Sequence, residues 1–255
     1  MQRTPVHPAL VLFTLVALTG TSQAQMQMGP TTGHDVLLFS SVFRGVATPG
    51  PYFYLDQAIV DYGPGAFSAA GSERSNRFFT VMEGTLKFTV GHETNAYGPG
   101  KFFSVPPGTI VRGFNESQTA KARAFISSLV PASGAAAAAV PGTRESLPPP
   151  VRAYASRLAV GPLPKIIDVY QNGHRYEPGF VTMPHVMNET HDILQLEGTN
   201  IYEYLDGGVE TYGPGRASPM WVGRPGTMGN KTSAPSLWVI TYVATPGKPL
   251  TSPLH

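Results

Sequence analysis

The stretch Tyr97-Gly-Pro-Gly-Lys-Phe-Phe-Ser-Val-Pro-Pro-Gly-Thr109 decides the fold, because it occurs twice. Its turn signals return as Tyr212-Gly-Pro-Gly215 and Pro225-Gly-Thr227. Upstream, Tyr62-Gly-Pro-Gly65 leads to Glu83-Gly84, with Gly84 nineteen positions after Gly65, and Tyr176-Glu-Pro-Gly179 leads to Glu197-Gly198 at the same nineteen positions from Gly179 to Gly198. The offset between copies grows only from 114 to 115 to 118 residues. Four ordered matches at nearly one offset describe a duplicated unit the size of a small domain.

Inside each copy the period is that of strands. Leu86, Phe88 and Val90 alternate with Thr85, Lys87 and Thr89 after the Glu83-Gly84 turn, and Phe78 to Met82 precede it. The second copy has Ile193 to Leu196, Glu197-Gly198, then Ile201 to Leu205, and each copy closes on a further run, Ala124 to Ile126 and Leu237 to Val243. No segment keeps helical periodicity over a dozen residues. Each copy is therefore expected to be a small sandwich or barrel of short strands, able to enclose one ligand.

Composition excludes several classes. The 255 residues carry 18 Lys plus Arg against 16 Asp plus Glu, and only 13% are charged, about half the usual quarter. Such a chain lacks the basic stripe that a nucleic-acid binder needs, so no nucleic-acid partner is expected. With no Cys, disulfides, thiol nucleophiles and thiolate metal sites are excluded. Residues 1–24 read as a secretory signal, with Arg3 ahead of the apolar run Ala9 to Leu18 and small residues Ser22 and Ala24 before the cleavage point. The run is too short to span a bilayer, so a secreted protein with no membrane partner is expected. Three N-x-S/T sequons, at Asn115, Asn188 and Asn230, fit a glycosylating secretory route. The Pro/Ala-rich segment 131–150 reads as a linker between a first domain at 25–130 and a second at 151–255.

Gly100, Pro106, Gly108 and Asn115 stand at the fixed positions of G(x)5PxG(x)2H(x)3N, the second motif of the cupins, with Val111 in place of its His. Gly65 and Gly84 frame the first motif, G(x)5HxH(x)3-4E(x)6G. The chain thus resembles a secreted bicupin, similar in plan to fungal quercetin dioxygenases and oxalate decarboxylases. The resemblance implies an all-β chain of two tandem jelly-roll barrels, and an association of sheets that makes a homodimer an expectation.

The resemblance also implies a metal held by three His and a Glu, and here the chain departs from it. The first copy offers Gly71, Glu73, Arg77 and Val111 at those positions, and a guanidinium repels a cation, so no metal is expected in the N-terminal barrel. Glu73 and Arg77 are candidates to pair with each other or to meet an acidic ligand. The second copy offers His185, Met187, His191 and Gly229. His185 and His191 are the candidate catalytic pair, with Met187 lining the pocket. They are also candidate ligands for one divalent metal, copper, iron, nickel or manganese, with His174 and Glu189 as further donors outside the motif positions. Two His without a complete ligand set equally suit proton transfer. The expected function is an enzyme acting on a small aromatic or polyketide-like metabolite in the C-terminal barrel. It would work as a metal-dependent oxygenase or by His acid–base chemistry, giving isomerisation, cyclisation or decarboxylation. The alternative is a non-catalytic secreted binding or storage protein.

Overall fold

In a computed structural model the described residues are 33–68, 71–72, 74–132, 148–218 and 222–254. The signal segment, Glu73 and most of the linker lie outside them. The strands of the first half are β1 (Asp35–Ala47), β2 (Phe53–Tyr62), β3 (Gly71–Ser72), β4 (Asn76–Glu83), β5 (Leu86–Val90), β6 (Glu93–Tyr97), β7 (Phe102–Val105), β8 (Ile110–Phe114) and β9 (Ala122–Pro131). The second half has β10 (Val151–Val160), β11 (Ile166–Tyr176), β12 (His185–Met187), β13 (Thr190–Glu197), β14 (Asn200–Tyr204), β15 (Val209–Tyr212), β16 (Ala217–Ser218), β17 (Pro225–Gly229), β18 (Ser236–Ala244) and β19 (Thr251–Pro253). The described residues form no helix, and the expected hairpins fall on β4–β5 and β13–β14.

The strands make two barrels. In the first, the sheet β10-β2-β9-β4-β7 faces the sheet β3-β8-β5-β6; in the second, β1-β11-β18-β13-β16 faces β15-β14-β17-β12-β19. Alternation puts every second residue inside a barrel, as period two requires. The first barrel is filled by Phe79, Val81, Leu86, Phe88, Val105 and Val111 among others, and the second by Tyr176, Met187, Tyr202, Met228, Trp238 and Tyr242. The outer faces of the sheets β10-β2-β9-β4-β7 and β1-β11-β18-β13-β16 pack on each other through Phe43, Phe53, Leu55, Val169 and Val243, and through Ile59, Phe125, Leu194 and Val239. Strands β4, β9, β13 and β18 are thus buried on both faces along most of their length, and their centres read as short apolar runs, Phe78-Phe79 in β4, Ile193-Leu194 in β13 and Leu237 to Ile240 in β18.

The boundary at 131–150 separates the copies along the chain but not in space. Strand β1 pairs with β11 from Asp35 opposite Tyr176 to Ala47 opposite Ile166, so it belongs to the second barrel. Strand β10 pairs with β2, Val151 opposite Asp61 and Val160 opposite Phe53, and extends the first. The exchange buries Phe39 and Phe43 of β1 and Val160 of β10 between the barrels.

The duplication extends to individual hydrogen bonds. Asn115 Nδ2 donates to the carbonyls of Tyr62 (3.0 Å) and Ala120 (2.8 Å), and Asn230 Nδ2 to those of Tyr176 (3.0 Å) and Ala234 (2.8 Å). Each side-chain oxygen accepts the amide two residues on, from Ser117 and from Thr232. The hairpin glycines match as well: Gly84 and Gly198 have φ of 70° and 66°, and a Cβ would lie 2.7 Å from the Lys121 carbonyl oxygen or 2.4 Å from that of Pro235. Replacing Gly198 with Ala combines a left-handed backbone with a backbone clash and should cost at least about 2 kcal/mol. At Gly207, with φ of 89° and nothing within 4 Å, the same change should cost only about 1 kcal/mol. Denaturant midpoints of the two variants make the comparison, and equal losses would contradict it.

Candidate functional site

The candidate site is built by β12 and β13, consecutive strands that lie in the two facing sheets of the C-terminal barrel. His191 sits opposite Tyr242 on β18, and its ring centroid lies 5.3 Å from that of Tyr242. It is only 1% exposed. Its Nδ1 lies 2.8 Å from the Glu189 carbonyl, which can only accept, so Nδ1 carries the proton and Nε2 presents a lone pair. Among the described residues that buried Nε2 has no hydrogen-bond partner. His185 repeats the arrangement: its Nδ1 lies 2.9 Å from the Met183 carbonyl, with Thr182 Oγ1 at 3.4 Å. His185, Met187, Thr182, Met228, Trp238 and Tyr242 line a cavity of about 10 Å³, room for roughly one water.

Burial sets the electrostatics. Desolvation lowers the His191 imidazole from 6.5 to about 4, against the opposing hydrogen bond to the Glu189 carbonyl, and the neighbouring His185 lowers it further. Burial lowers His185 too. Tyr176, Tyr202 and Tyr242 are pushed up by burial, so the hydroxyls in the barrel stay neutral. Between pH 6.5 and about 4 the unfolded chain binds a proton at residue 191 that the folded chain refuses. Stability contributed by this refusal is fully present above pH 6.5 and is lost as pH falls through about 4, on the order of 3 kcal/mol in all. Urea melts from pH 7 to 4 should therefore show a destabilisation that His191→Phe reduces; an unchanged slope in the variant would contradict the assignment.

The other expected donors lie elsewhere. His174 Nδ1 lies 3.0 Å from both carboxylate oxygens of Asp35, and its ring stacks on Trp238 at 4.3 Å. Its register partner is Trp238, four residues along β18 from the Tyr242 that faces His191. The buried Glu189 uses its carboxylate to accept the Thr245 amide at 2.8 Å. In the first barrel Val111 is part of the apolar core, and the Arg77 guanidinium sits 4.9 Å from the Phe79 ring centroid.

These residues do not fit a metal of the family type. No group of three His, Asp or Glu converges anywhere among the described residues. The position that would carry the last His is closed: a Cβ on Gly229 would meet the Phe180 carbonyl oxygen at 2.7 Å and Val181 Cγ2 at 2.8 Å. The two imidazoles are neutral and the cavity lining holds no carboxylate, so a divalent ion there would be desolvated without an anion to offset its charge. The lining therefore offers the expected divalent metal at His185 and His191 no anionic donor.

The glycosylation expectation is also corrected. Asn115 is 1% exposed and Asn230 0%, and their amide hydrogens are committed to backbone carbonyls, so neither can carry a glycan in the folded protein. Asn188 is half-buried, with Nδ2 donating to the Pro249 carbonyl at 3.1 Å and Ser252 Oγ at 2.8 Å. The signal for this was in the sequence, since Asn115 is the fixed Asn of the second motif. A third feature escaped sequence reading entirely: Asp192, next to His191, is buried between the barrels and held by Gln57 and Ser156.

Residues 58–127 match the family described as Cupin domain. No curated protein matches the sequence. Solved structures with a similar fold include Bacillus subtilis oxalate decarboxylase, studied for its Mn(II) centres, at 12% identity and TM-score 0.52, covering 84% of this chain and 79% of that one. Tomato vicilin is 12% identical at TM-score 0.58, over 83% and 85% of the two chains. Lactobacillus farciminis oxalate decarboxylase, in a formate complex, is 9% identical at TM-score 0.53, over 84% and 88%. Identities this low speak to fold alone. The chain is an all-β protein of two tandem jelly-roll barrels with the bicupin fold, and its segment 58–127 matches the cupin domain.

Proposed function

We propose that the protein is a secreted bicupin enzyme that moves a proton on a small aromatic or polyketide-like molecule in its C-terminal barrel, without a metal. The observation that carries this reading is the buried, unpartnered Nε2 lone pair of His191, held in one tautomer by the Glu189 carbonyl. A base so placed accepts a proton from a hydroxyl or from carbon next to a carbonyl, leaving the electron pair on the substrate as an enolate or phenolate. Burial opposes the imidazolium when it is alone, but the anion formed beside it supplies the missing counter-charge. His185, nearer the surface, exchanges the proton with solvent and returns it: to another atom of the enolate in an isomerisation, to the oxygen of a carbonyl that the enolate carbon has attacked in a cyclisation, or to the carbon from which a carboxylate has left as carbon dioxide in a decarboxylation.

The barrel interior suits a flat apolar molecule in kind, since Tyr176, Trp238 and Tyr242 face Met187 and Met228 across the cavity. With about 10 Å³ open, entry requires those thioether side chains to swing aside, which unbranched Met does at little cost. The test is solvent deuterium uptake into phenolic and 1,3-dicarbonyl compounds, followed by NMR with and without a chelator. Uptake that survives the chelator supports the proposal, and uptake abolished by it overturns the metal-free step.

One observation favours a second, non-catalytic reading as a binding or storage protein. Both barrels are filled by their own aromatic side chains, as in the Phe79–Phe103 stack at 4.6 Å in the first. The absence of turnover with any such compound, alongside tight binding, would select it. Glycosylation is dropped from either reading at Asn115 and Asn230, and a homodimer remains an expectation for sedimentation to check.

A further inference from the structure

Strand β13 has two faces with different histories in the two copies. At the offset of 114 residues, His191 stands where the first copy has Arg77, and Asp192 where it has Phe78. Phe78 packs in the apolar layer between the barrels. Asp192 occupies the same layer, 1% exposed, and its carboxylate accepts hydrogen bonds from Gln57 Nε2 at 2.7 Å and Ser156 Oγ at 2.6 Å. Gln57 also reaches the Asp192 backbone carbonyl at 3.1 Å, and its Nε2 lies 3.2 Å from Ser156 Oγ. Gln57 is on β2 and Ser156 on β10, so both donors come from the large sheet of the other barrel.

A buried carboxylate bonded only by neutral donors is costly, and Phe78 shows that an apolar side chain can fill the equivalent place. The polar version occurs on the strand that carries the buried His. Its mirror image in the other copy is incomplete: Gln171 reaches the Phe78 carbonyl at 3.3 Å, but its amide otherwise serves Ser127, and its oxygen accepts from Thr80. We propose that Asp192, Gln57 and Ser156 are positioning residues, a latch through which the N-terminal barrel and the exchanged strand β10 fix the backbone at 191–192 and hence the direction of the His191 lone pair. The proposal rests on the reading that His191 is the working group. It also gives the first barrel, which lacks the family's ligands at Arg77 and Val111, a role in the chemistry of the second.

The test uses the full chain with labelled histidine and follows the His191 Nδ1 proton by NMR, measuring its exchange with water. Gln57→Leu/Asp192→Leu removes the buried amide and carboxylate together, leaving only the half-buried Ser156 hydroxyl and the Asp192 carbonyl without those partners, and should speed exchange about tenfold or more. Asp192→Asn keeps an acceptor for both donors and should stay within about twofold. Gln171→Leu deletes an equally buried amide of the same layer whose hydrogen bonds go to Phe78, Thr80 and Ser127, not to β13, and should change stability without moving the His191 proton beyond about twofold. Equal acceleration in Gln171→Leu, or none in the double variant, overturns the latch. Should the double variant fail to fold, Ser156→Ala, which removes one donor, reads the same proton, and an unchanged rate there overturns the proposal. The measurement needs no substrate: shifted exchange together with full turnover in His191→Ala would leave the latch standing and remove the catalytic reading.

Discussion

His191→Ala should lower turnover of a deuterium-exchanging substrate by about 10²–10⁴-fold, the range of a positioned general base, while the protein still folds. The two halves of this result have separate causes. Activity falls because His185, the other neutral imidazole, stands on the solvent side as the shuttle, the Tyr hydroxyls are held neutral by burial, and Met187 is not a base at these pH values. Folding survives because truncation removes a buried acceptor that has no partner, which offsets the packing lost against Tyr242. His185→Ala should cost less, about 10-fold to 10²-fold, since solvent can replace a proton shuttle near the surface. Rates and thermal melts of the two variants check this. Full turnover in His191→Ala would end the mechanism, whereas loss of folding would show the residue to be structural.

Asn230→Ala should destabilise the protein by about 3 kcal/mol or more, and Asn115→Ala by a similar amount. Either change strips carbonyls of their donor, those of buried Tyr176 and exposed Ala234 in one copy and of buried Tyr62 and exposed Ala120 in the other. It also frees the amides that the side-chain oxygens accept. The turn being clamped joins β8 to β9 or β17 to β18 and closes the end of each barrel. Asn→Asp should be nearly as costly, since a carboxylate cannot donate to those carbonyls. Chemical denaturation is the measurement. A loss below about 1 kcal/mol would mean that water takes over the clamp. The same experiment bears on the sequons, because a glycan at either residue requires the clamp to be absent.

The duplicated turns made much of the fold legible. Glycines at 84 and 198 and asparagines at 115 and 230 are dictated by local backbone geometry, and local geometry repeats in sequence. The inner faces were legible for the same reason, since alternation along β5 or β14 is a local signal. The strand exchange was not legible. Strands β1 and β10 pair with partners far along the chain, and nothing in Asp35–Ala47 distinguishes β11 from β2 as its neighbour. The motif frame pointed to His185 and His191, but not to the closure of the fourth ligand position, because a Gly at 229 reads the same whether open space or the Phe180 backbone lies against it. Nothing in the sequence around Asp192 sets it apart from a surface charge. Only the packing of the two sheets reveals that it is buried.

The central claim, that the C-terminal barrel works through neutral imidazoles and not through a family-type metal, is tested most directly by elemental analysis of the purified, untagged protein, compared with its His191→Ala variant. The account expects manganese, iron, nickel and copper well below one per chain in both proteins. Stoichiometric metal in the natural chain that disappears with His191 would contradict it.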